Sequence, residues 1–491
     1  MEGAYYIRYA LMPFYYFADA IERAQPELHI YQRRNGILGK GLVSALQMAF
    51  PDGVFAPIND ASRTMGVDAP EVVLALDEAY ARYGAGGADA AAANLLATAA
   101  LQGQVVLNGA GLAVARDLAG TKASPDVAWH SIEFTDGPDG KEGGLGILRS
   151  GAGADATMLL MKYGVHGQGH GHFDKLHFIL FAGGRAVVPD YGFARWINIE
   201  PKFGGRYLPE NESWAKQTLA HNTVVVDSSS QSGGNYRADE AKSAQRNFFD
   251  ARDPAVQIMS ARADGFYDGV GMQRTMLLVR DARLPHPVVA DLYRLSSAAR
   301  HSYDYPLHFR GQIIATDVKY EAHTKAQAAL GSHDGYQHVW NEASATTDST
   351  IRLTWLDGHR YYSLTMAGAP GTEVIFGRTG AGDPSFNLRS EPLLLVRRQA
   401  TSHLFASVLE PHGFFSEPEE RSAGARPRIT AVRVLGDDAD ASIVEILGDA
   451  GLRWVVMISN GSPSATTRHR VAAGGQTYEW TGNYAVEGVQ R

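Results

Sequence analysis

The spacing of apolar residues changes once along this 491-residue chain, near residue 126, and that change restricts the fold more than any other feature. Upstream, apolar residues recur at the spacing of amphipathic helices. Downstream, short apolar or β-branched runs are bounded by Gly, Asp and Ser, which is typical of strands. Strands that follow one another without helices between them pack as antiparallel sheets. The pattern predicts an α+β multidomain chain, with helical hairpins followed by a large antiparallel β-sandwich.

The first predicted helix covers residues 10–24, where Leu11, Phe14, Phe17, Ala18 and Ile21 share one apolar face that we expect to be buried. Further helices are predicted over residues 37–50, 72–83 and 89–101. Strands are predicted over residues 157–161, 177–181, 223–226, 275–279, 288–292, 372–376, 393–396 and 454–458. We expect a helical segment at 1–125, the main sandwich at 126–400, and C-terminal strands that complete it at 401–491.

Composition excludes several classes of function. Lys and Arg total 45 against 53 Asp and Glu, so the net charge is −8, which does not suit coating of nucleic acid or of an anionic membrane. The chain has no cysteine, which removes disulfides, thiolate nucleophiles and cysteine-ligated metals. No apolar run approaches the ~20 residues of a membrane helix. The first residues show neither a basic nor an apolar leader region, so from the sequence alone we expect no targeting signal.

The most informative segment is residues 163–177, where four of the 17 histidines are interleaved with glycines. His170 and His172 are two positions apart and would point the same way in an extended chain. Asp190 and His221 follow, each at the edge of a strand-like run. Two imidazoles and one carboxylate suit a borderline ion such as zinc, with a fourth position for water or a substrate group. On spacing alone, histidines that only hydrogen-bond at strand ends are the alternative.

Three motifs in this region, in a fixed order, carry a family resemblance. They are residues 166–176, Val188-Pro189-Asp190-Tyr191-Gly192, and Leu219-Ala220-His221-Asn222-Thr223-Val224-Val225-Val226-Asp227. Together they resemble the heparinase II/III-like superfamily of polysaccharide lyases, and within it the alginate (oligoalginate) lyases of polysaccharide lyase families 17 and 15. Residues 2–11 also resemble the toroid motif of those lyases. The resemblance implies a partial α/α toroid at 1–125 that leads into the stacked sheets.

The resemblance implies a zinc ion, Zn²⁺, bound by His172, Asp190 and His221. We expect this zinc to be structural, because lyase chemistry needs no metal-bound nucleophile and the three ligands come from separate segments. The family also implies an acidic polysaccharide or oligosaccharide as the partner, and it is compatible with a homodimer. Its members lead us to expect a periplasmic or secreted protein, with a cytoplasmic one as the alternative.

Lyases cleave uronic-acid polymers by β-elimination, which needs three groups. One neutralises the carboxylate, one accepts the C5 proton, and one protonates the leaving oxygen. Tyr6 falls where these lyases keep a catalytic tyrosine, and Arg8 and Tyr9 fall where they contact substrate. From the residues alone, an aromatic helix face packed in a core is the preferred interpretation of this cluster, since further aromatic residues follow closely; the family motif reverses that preference.

Three more candidate residues lie in the later part of the segment that carries the resemblance. Tyr207 stands where the alginate lyases supply another catalytic tyrosine, with a loop tyrosine bonded to backbone as the alternative. Arg195 is a candidate bidentate carboxylate donor, with a surface salt bridge as the alternative. His170, whose unperturbed pKa is ~6.5, can donate to the substrate carboxylate or take part in proton transfer.

One departure from the family pattern bears on activity. In those lyases, a toroid helix upstream of the tyrosine motif supplies an Asn-His pair that neutralises the carboxylate and assists proton abstraction. This sequence has no such pair, and its only Asn-His neighbours are the reversed His221-Asn222. We therefore expect either a fragment of a longer protein or a site that relies on Arg8, Arg195 and His170.

The leading hypothesis is an alginate or oligoalginate lyase. A glycosaminoglycan lyase of the same superfamily, of the heparin/heparan, hyaluronan or chondroitin type, is its neighbour. A metallohydrolase that uses the same three ligands to activate water is the second class. A carbohydrate-binding fragment without catalytic activity is the third. Preference for mannuronate or guluronate, and for exo or endo cleavage, stays open.

Overall fold

The computed structural model describes residues 3–67, 69–83, 129–194, 207–383 and 385–491. They form two compact units, Glu2–His130 and Ser131–Arg491. The helix predicted over residues 89–101 and the candidate Arg195 lie outside the described residues. No helix within the described residues is long and apolar enough to cross a membrane.

The first unit contains α-helices at Ala4–Ala24, Arg33–Gln47 and Pro70–Tyr83, with turns and two isolated β-bridges between the second and third. Within the second range, Arg34 to Gly36 have left-handed backbone angles, so regular helix begins at about the predicted position 37. The predicted face of the first helix is partly wrong. Leu11 and Ala18 are buried, whereas Phe14 and Phe17 are 59% and 65% exposed. The buried face instead includes the polar residues Arg8 and Asp19, because ion pairs satisfy their charges there.

The second unit is built mainly from antiparallel strands. Its first sheet follows chain order and contains Ile132–Thr135, Gly144–Ser150, Thr157–Lys162, His177–Ala182 and Arg185–Val188. The unit also contains the α-helix Tyr236–Glu240 and the π-helix Asn211–Ala215. The predicted strands at 157–161 and 177–181 are confirmed as members of this sheet.

Two larger sheets form the body of this unit. The eight-stranded sheet has the order Gln312–Thr316, Ile351–Asp357, Arg360–Met366, His403–His412, Val288–Ser297, Val270–Val279, Val256–Arg262 and Gln245–Asp253. The seven-stranded sheet has the order Glu321–Ala322, Val339–Thr347, Thr372–Thr379, Pro392–Ala400, His301–His308 and Val225–Val226, with Ala328–Ala329 paired to Val339–Thr347. The predicted strands at 275–279, 288–292, 372–376 and 393–396 lie within them. The one predicted at 223–226 is shorter than expected, with two residues in the ladder.

The C-terminal strands form three further small sheets. One has four strands, Ile429–Asp437, Ala441–Gly448, Arg453–Ser459 and Tyr484–Glu487. Two are hairpins, Phe414–Ser416 with Arg421–Ala423 and Arg468–Ala473 with Gln476–Thr481. Because His403–His412 belongs to the eight-stranded sheet, residues 401–491 contribute both to the main body and to an added layer.

The central strand Val288–Ser297 shows how the layers pack. Val289, Tyr293 and Leu295 contribute to a core shared with the five-stranded and seven-stranded sheets. Val288, Ala290 and Leu292 point the other way, into a core shared with the four-stranded sheet. Alternate side chains of a strand face opposite sides of a sheet, so a strand apolar on both faces must lie between two layers. The antiparallel sandwich predicted from the sequence is confirmed.

Candidate active site and metal centre

Three predicted ligands meet inside the β-rich unit. His172 follows a short turn, Asp190 follows the strand Arg185–Val188, and His221 follows the 3₁₀ turn Thr218–Ala220. One potential ligand atom from each residue lies within 4.8 Å of the others, and all three side chains are fully buried. His221 Nδ1 is 3.4 Å from Asp190 Oδ2. Two histidines and a carboxylate at this separation can hold one metal ion.

The environment of His221 tests whether these residues fit a metal. Both of its ring nitrogens are buried, and neither makes a hydrogen bond within the described part of the chain. A buried polar atom with no hydrogen bond is costly, and a metal bond to one ring nitrogen would remove part of that cost. The donor set, two imidazoles and one carboxylate, is one that zinc accepts. The three residues therefore fit zinc, with one coordination position left over.

A further histidine fixes the carboxylate. His177 Nδ1 accepts the backbone N–H of Asn222 at 2.8 Å, so the ring proton is on Nε2, which lies 2.9 Å from Asp190 Oδ2. The other carboxylate oxygen accepts the backbone N–H of Gly192 at 2.8 Å. Burial raises the pKa of Asp190, but the imidazoles of His221 and His177 outweigh it and hold that pKa well below its ordinary range. The carboxylate is therefore anionic and held in place.

The loop before His172 is held by the short helix Tyr236–Glu240. His166 Nδ1 lies 2.6 Å from Asp239 Oδ2, and Lys175 Nζ donates to the same oxygen at 2.9 Å. All three side chains are buried. Burial raises the pKa of Asp239, but Lys175 and His166 outweigh it, so the pKa of this carboxyl is lowered. Asp239 thus holds the His-rich loop at two positions, His166 and Lys175.

The predicted common direction of His170 and His172 is wrong. Gln168–His170 forms a 3₁₀ turn, so the segment is not extended and the two-residue alternation does not apply. His172 is fully buried, whereas His170 is partly exposed. Tyr207 lies at the surface with 74% of its area exposed. His170 and Tyr207 are therefore accessible to a large ligand, while the three metal ligands are not.

The second cluster of candidates lies in the helical unit, on the first turns of its first helix. Tyr6 and Tyr9 have ring centroids 6.3 Å apart, and Tyr5 packs edge-on against Tyr6. The Arg8 guanidinium lies 3.8 Å from the centre of the Tyr9 ring and donates to Glu71 Oε1 at 2.8 Å. Burial lowers the pKa of Arg8, but Tyr9 and Glu71 outweigh it and raise that pKa. Arg8 is therefore a buried cation that lies against the half-exposed ring of Tyr9.

Part of the β-rich unit matches a known protein family. Residues 134–372 match the model of the heparinase II/III-like, C-terminal family. The β-rich unit contains a heparinase II/III-like domain. The family resemblance predicted from the motifs is therefore confirmed, and all three metal-ligand candidates lie inside the matched residues.

Two relatives resemble the chain along nearly its whole length. An "Alginate lyase" of Stenotrophomonas maltophilia (strain K279a) is 42% identical over 487 residues, which is 99% of this chain and 64% of that protein. An "Exo-oligoalginate lyase" of Saccharophagus degradans (strain 2-40) is 39% identical over 491 residues, 99% of this chain and 65% of that protein. The chain spans just under two thirds of the length of these relatives.

Solved structures resemble the chain in fold. The heparan sulfate lyase HepC from Pedobacter heparinus has a TM-score of 0.58 at 15% identity, covering 94% of this chain and 58% of that one. A heparinase III, the BT4657 gene product, has a TM-score of 0.58 at 14% identity, covering 93% and 58%. At this level of identity the likeness concerns the fold alone.

Sequence reasoning missed one buried ion pair that supports the heparinase II/III-like domain. Arg274 Nη2 and Asp291 Oδ2 are 2.6 Å apart on neighbouring central strands. Arg274 Nη1 also donates to the carbonyl oxygens of Leu176 and Asn222 at 2.7 and 2.5 Å. These residues adjoin His177 and His221, so one guanidinium joins two segments of the metal centre. The sequence did carry a signal for this pair: Arg274 and Asp291 are charged residues of opposite sign, each inside an apolar strand run.

Proposed function

We propose that this chain is part of a polysaccharide lyase that cleaves alginate or oligoalginate by β-elimination. The observation that supports this most is the 42% identity to an alginate lyase over 99% of the chain. That identity extends through both the tyrosine cluster and the heparinase II/III-like domain. The substrate would be an acidic polysaccharide or oligosaccharide, in agreement with what the names of the relatives state.

In this proposal the helical unit is the C-terminal part of an α/α toroid, and its tyrosine cluster supplies proton transfer. Tyr6 carries a proton between the sugar and solvent, and Tyr9, half exposed beside the Arg8 charge, contacts substrate. The buried Arg8–Glu71 pair fixes the start of the helix.

The heparinase II/III-like domain has candidate groups of its own. His170 and Tyr207 are exposed enough to meet a sugar chain, as catalytic groups that share the acid and base roles. Arg195 would bind a carboxylate with its planar fork. In each step the C5 proton leaves to a base, a C4–C5 double bond forms, and the C4–O bond breaks as its oxygen gains a proton. No water is consumed.

Zinc in this proposal is structural. When bound by His172, Asp190 and His221, it supplies a cross-link between three segments of the domain. The full burial of all three ligands supports this role, since a hydrolytic metal site must admit both water and substrate. His177 and Arg274 hold the ligand-bearing segments from outside.

A glycosaminoglycan lyase of the same superfamily is the second candidate, since its substrate is also a uronic-acid polymer. The 42% identity to an alginate lyase supports alginate as the first candidate. The remaining predictions, a homodimer and a periplasmic or secreted location, follow from the family alone. Light scattering and cell fractionation would measure them.

The proposal is tested by offering the purified protein a panel of uronic polymers and recording ultraviolet absorbance. β-Elimination leaves an unsaturated, absorbing sugar end, whereas hydrolysis leaves none. We expect absorbance to rise with alginate or its oligomers and to stay flat with heparan sulfate. New reducing ends without absorbance would indicate a hydrolase, and saturable binding without either product would indicate a binding protein.

A further inference from the structure

Phe386 has a backbone conformation that a phenylalanine seldom adopts. Its φ is +52°, in the left-handed region, and it is the one Phe, Tyr or Trp with a positive φ among the residues described. Most of its side chain, 64%, is exposed. Bulky residues avoid this region because Cβ is crowded there. A strained backbone that presents a large apolar ring to solvent contributes nothing evident to the core, and such strain is concentrated at functional sites.

The short segment around Phe386 is fixed on both sides. The side-chain amide of Asn387 donates to Glu210 Oε2 at 2.8 Å in a buried contact. The backbone N–H of Leu388 donates to Asp383 Oδ2 at 2.7 Å. Because these neighbours are bonded, the strained position is held by its surroundings, and Phe386 is presented outward from a fixed base.

The same segment contacts residues that lie close in sequence to two candidate site residues of this domain. The backbone N–H of Arg389 donates to the Tyr191 hydroxyl at 2.6 Å, and the Arg389 guanidinium lies 4.0 Å from the centre of the Tyr191 ring. Tyr191 directly follows the metal ligand Asp190. Glu210, the partner of Asn387, is three residues after Tyr207. The segment that carries Phe386 is thus bonded to the neighbours of a metal ligand and of a candidate catalytic tyrosine.

We propose that Phe386 is a substrate-binding platform on which one sugar ring of a uronic-acid oligomer stacks beside the site of cleavage. This inference rests on the proposed function and names a binding residue for it. The negative face of an aromatic ring attracts the weakly positive C–H groups on the flat side of a pyranose. The uronate carboxylate projects from the edge of the ring and stays free for an arginine. A phenylalanine lacks a polar group, so it would contribute affinity through this C–H face and not through hydrogen bonds to the hydroxyl groups.

The test compares Phe386→Ala, Phe386→Gly and Phe386→Trp, with Phe414→Ala as the matched control. Phe414 is another exposed phenylalanine of the same unit, 42% exposed, on a hairpin strand. Steady-state kinetics on alginate tetramers should show KM about tenfold higher for the Ala and Gly variants, with kcat within about twofold of the parent. The Trp variant and the Phe414 control should keep the parent KM.

Thermal unfolding separates a platform from a structural residue. Gly accepts a positive φ without strain, so Phe386→Gly should unfold at the parent temperature or slightly above it while binding worsens. A Gly variant that unfolds earlier, or Ala and Gly variants with the parent KM, would overturn the inference.

A parent that cleaves no uronic polymer would instead overturn the proposed function. The platform is then tested by calorimetric titration with saturated mannuronate tetramer. Tenfold weaker binding to Phe386→Ala than to the parent would support the inference, and equal binding or none to either would overturn it.

Discussion

The two groups of candidate residues differ in how far their side chains are exposed to solvent. In the heparinase II/III-like domain, His172, Asp190 and His221 are completely buried. In the helical unit, Tyr6 is partly exposed and Tyr9 is 51% exposed, and both lie on the first turns of a helix. Groups that only hold a metal can be sealed from water, whereas groups that exchange protons with a polymer must reach it. The contrast supports the proposal that a metal held by the buried ligands would stabilise the domain, and that the tyrosines would take part in the chemistry.

The largest expected effect is the loss of turnover on substitution of Tyr6. Replacing it with Phe leaves the ring packing but removes the hydroxyl, so turnover should fall by about 10² to 10⁴, with KM and the unfolding temperature nearly unchanged. Tyr16→Phe, on the same helix and 53% exposed, is the control and should keep parent turnover. A fall of less than tenfold for Tyr6→Phe would make it a packing residue and would weaken the contrast.

The next effect is on the metal centre. His172→Ala removes one of three protein ligands, so bound zinc, measured by elemental analysis, and the unfolding temperature should fall together. Loss of metal removes a constraint that acts on the folded state alone. His333→Ala, an imidazole 69% exposed in the same unit, should change neither. A His172→Ala protein with full zinc content and parent stability would refute the assigned ligand.

A smaller effect concerns acid stability. The pKa of Asp239 is lowered in the folded state by Lys175 and His166 against the effect of burial, so the folded protein binds fewer protons there than the unfolded chain. This contribution is present above the unfolded value of ~3.9 and is lost as pH falls below it. Asp239→Asn should be less stable at neutral pH and should lose less further stability on acidification. Parallel stability–pH curves for parent and variant below pH ~4 would contradict this assignment.

The smallest effect is on Arg195, predicted from sequence alone. Arg195→Lys keeps the charge and loses the planar fork, so binding of charged oligomers should weaken a few-fold, beyond the weakening that salt produces in the parent. Calorimetric titration at two salt concentrations measures both the loss of affinity caused by the substitution and the loss caused by salt. Equal affinity of the two proteins for alginate and glycosaminoglycan oligomers would show that Arg195 does not touch substrate.

The sequence predicted the central strands of the β-rich region, such as Val288–Ser297, because they contain apolar runs that are buried on two faces. It predicted the first helix but not its buried face, because Arg8 and Asp19 are buried through partners as distant in sequence as Glu71 and Arg82. Periodicity counts apolar residues and cannot anticipate such pairs.

The candidate site, like the fold, was predicted from the sequence only in part. The family motifs gave His172, Asp190 and His221, and the structure brings them together. His177 was part of the same His-rich run but had no assigned role, because its role depends on Asn222, which lies 45 residues away. Phe386 gave no sequence signal, since a left-handed backbone at a non-glycine residue is fixed by contacts that only the fold reveals.

The contrast between buried metal-ligand candidates and more accessible tyrosines is tested most directly by varying the metal supplied to the folded protein. The protein would be loaded with zinc, cobalt or cadmium in turn, and kcat for formation of the unsaturated product would be measured alongside the unfolding temperature. If the metal only cross-links the domain, kcat should agree within about twofold for every metal that keeps the protein folded, while the unfolding temperature varies. A kcat that follows the identity of the metal at constant folded fraction would place the metal in the chemistry and contradict the account.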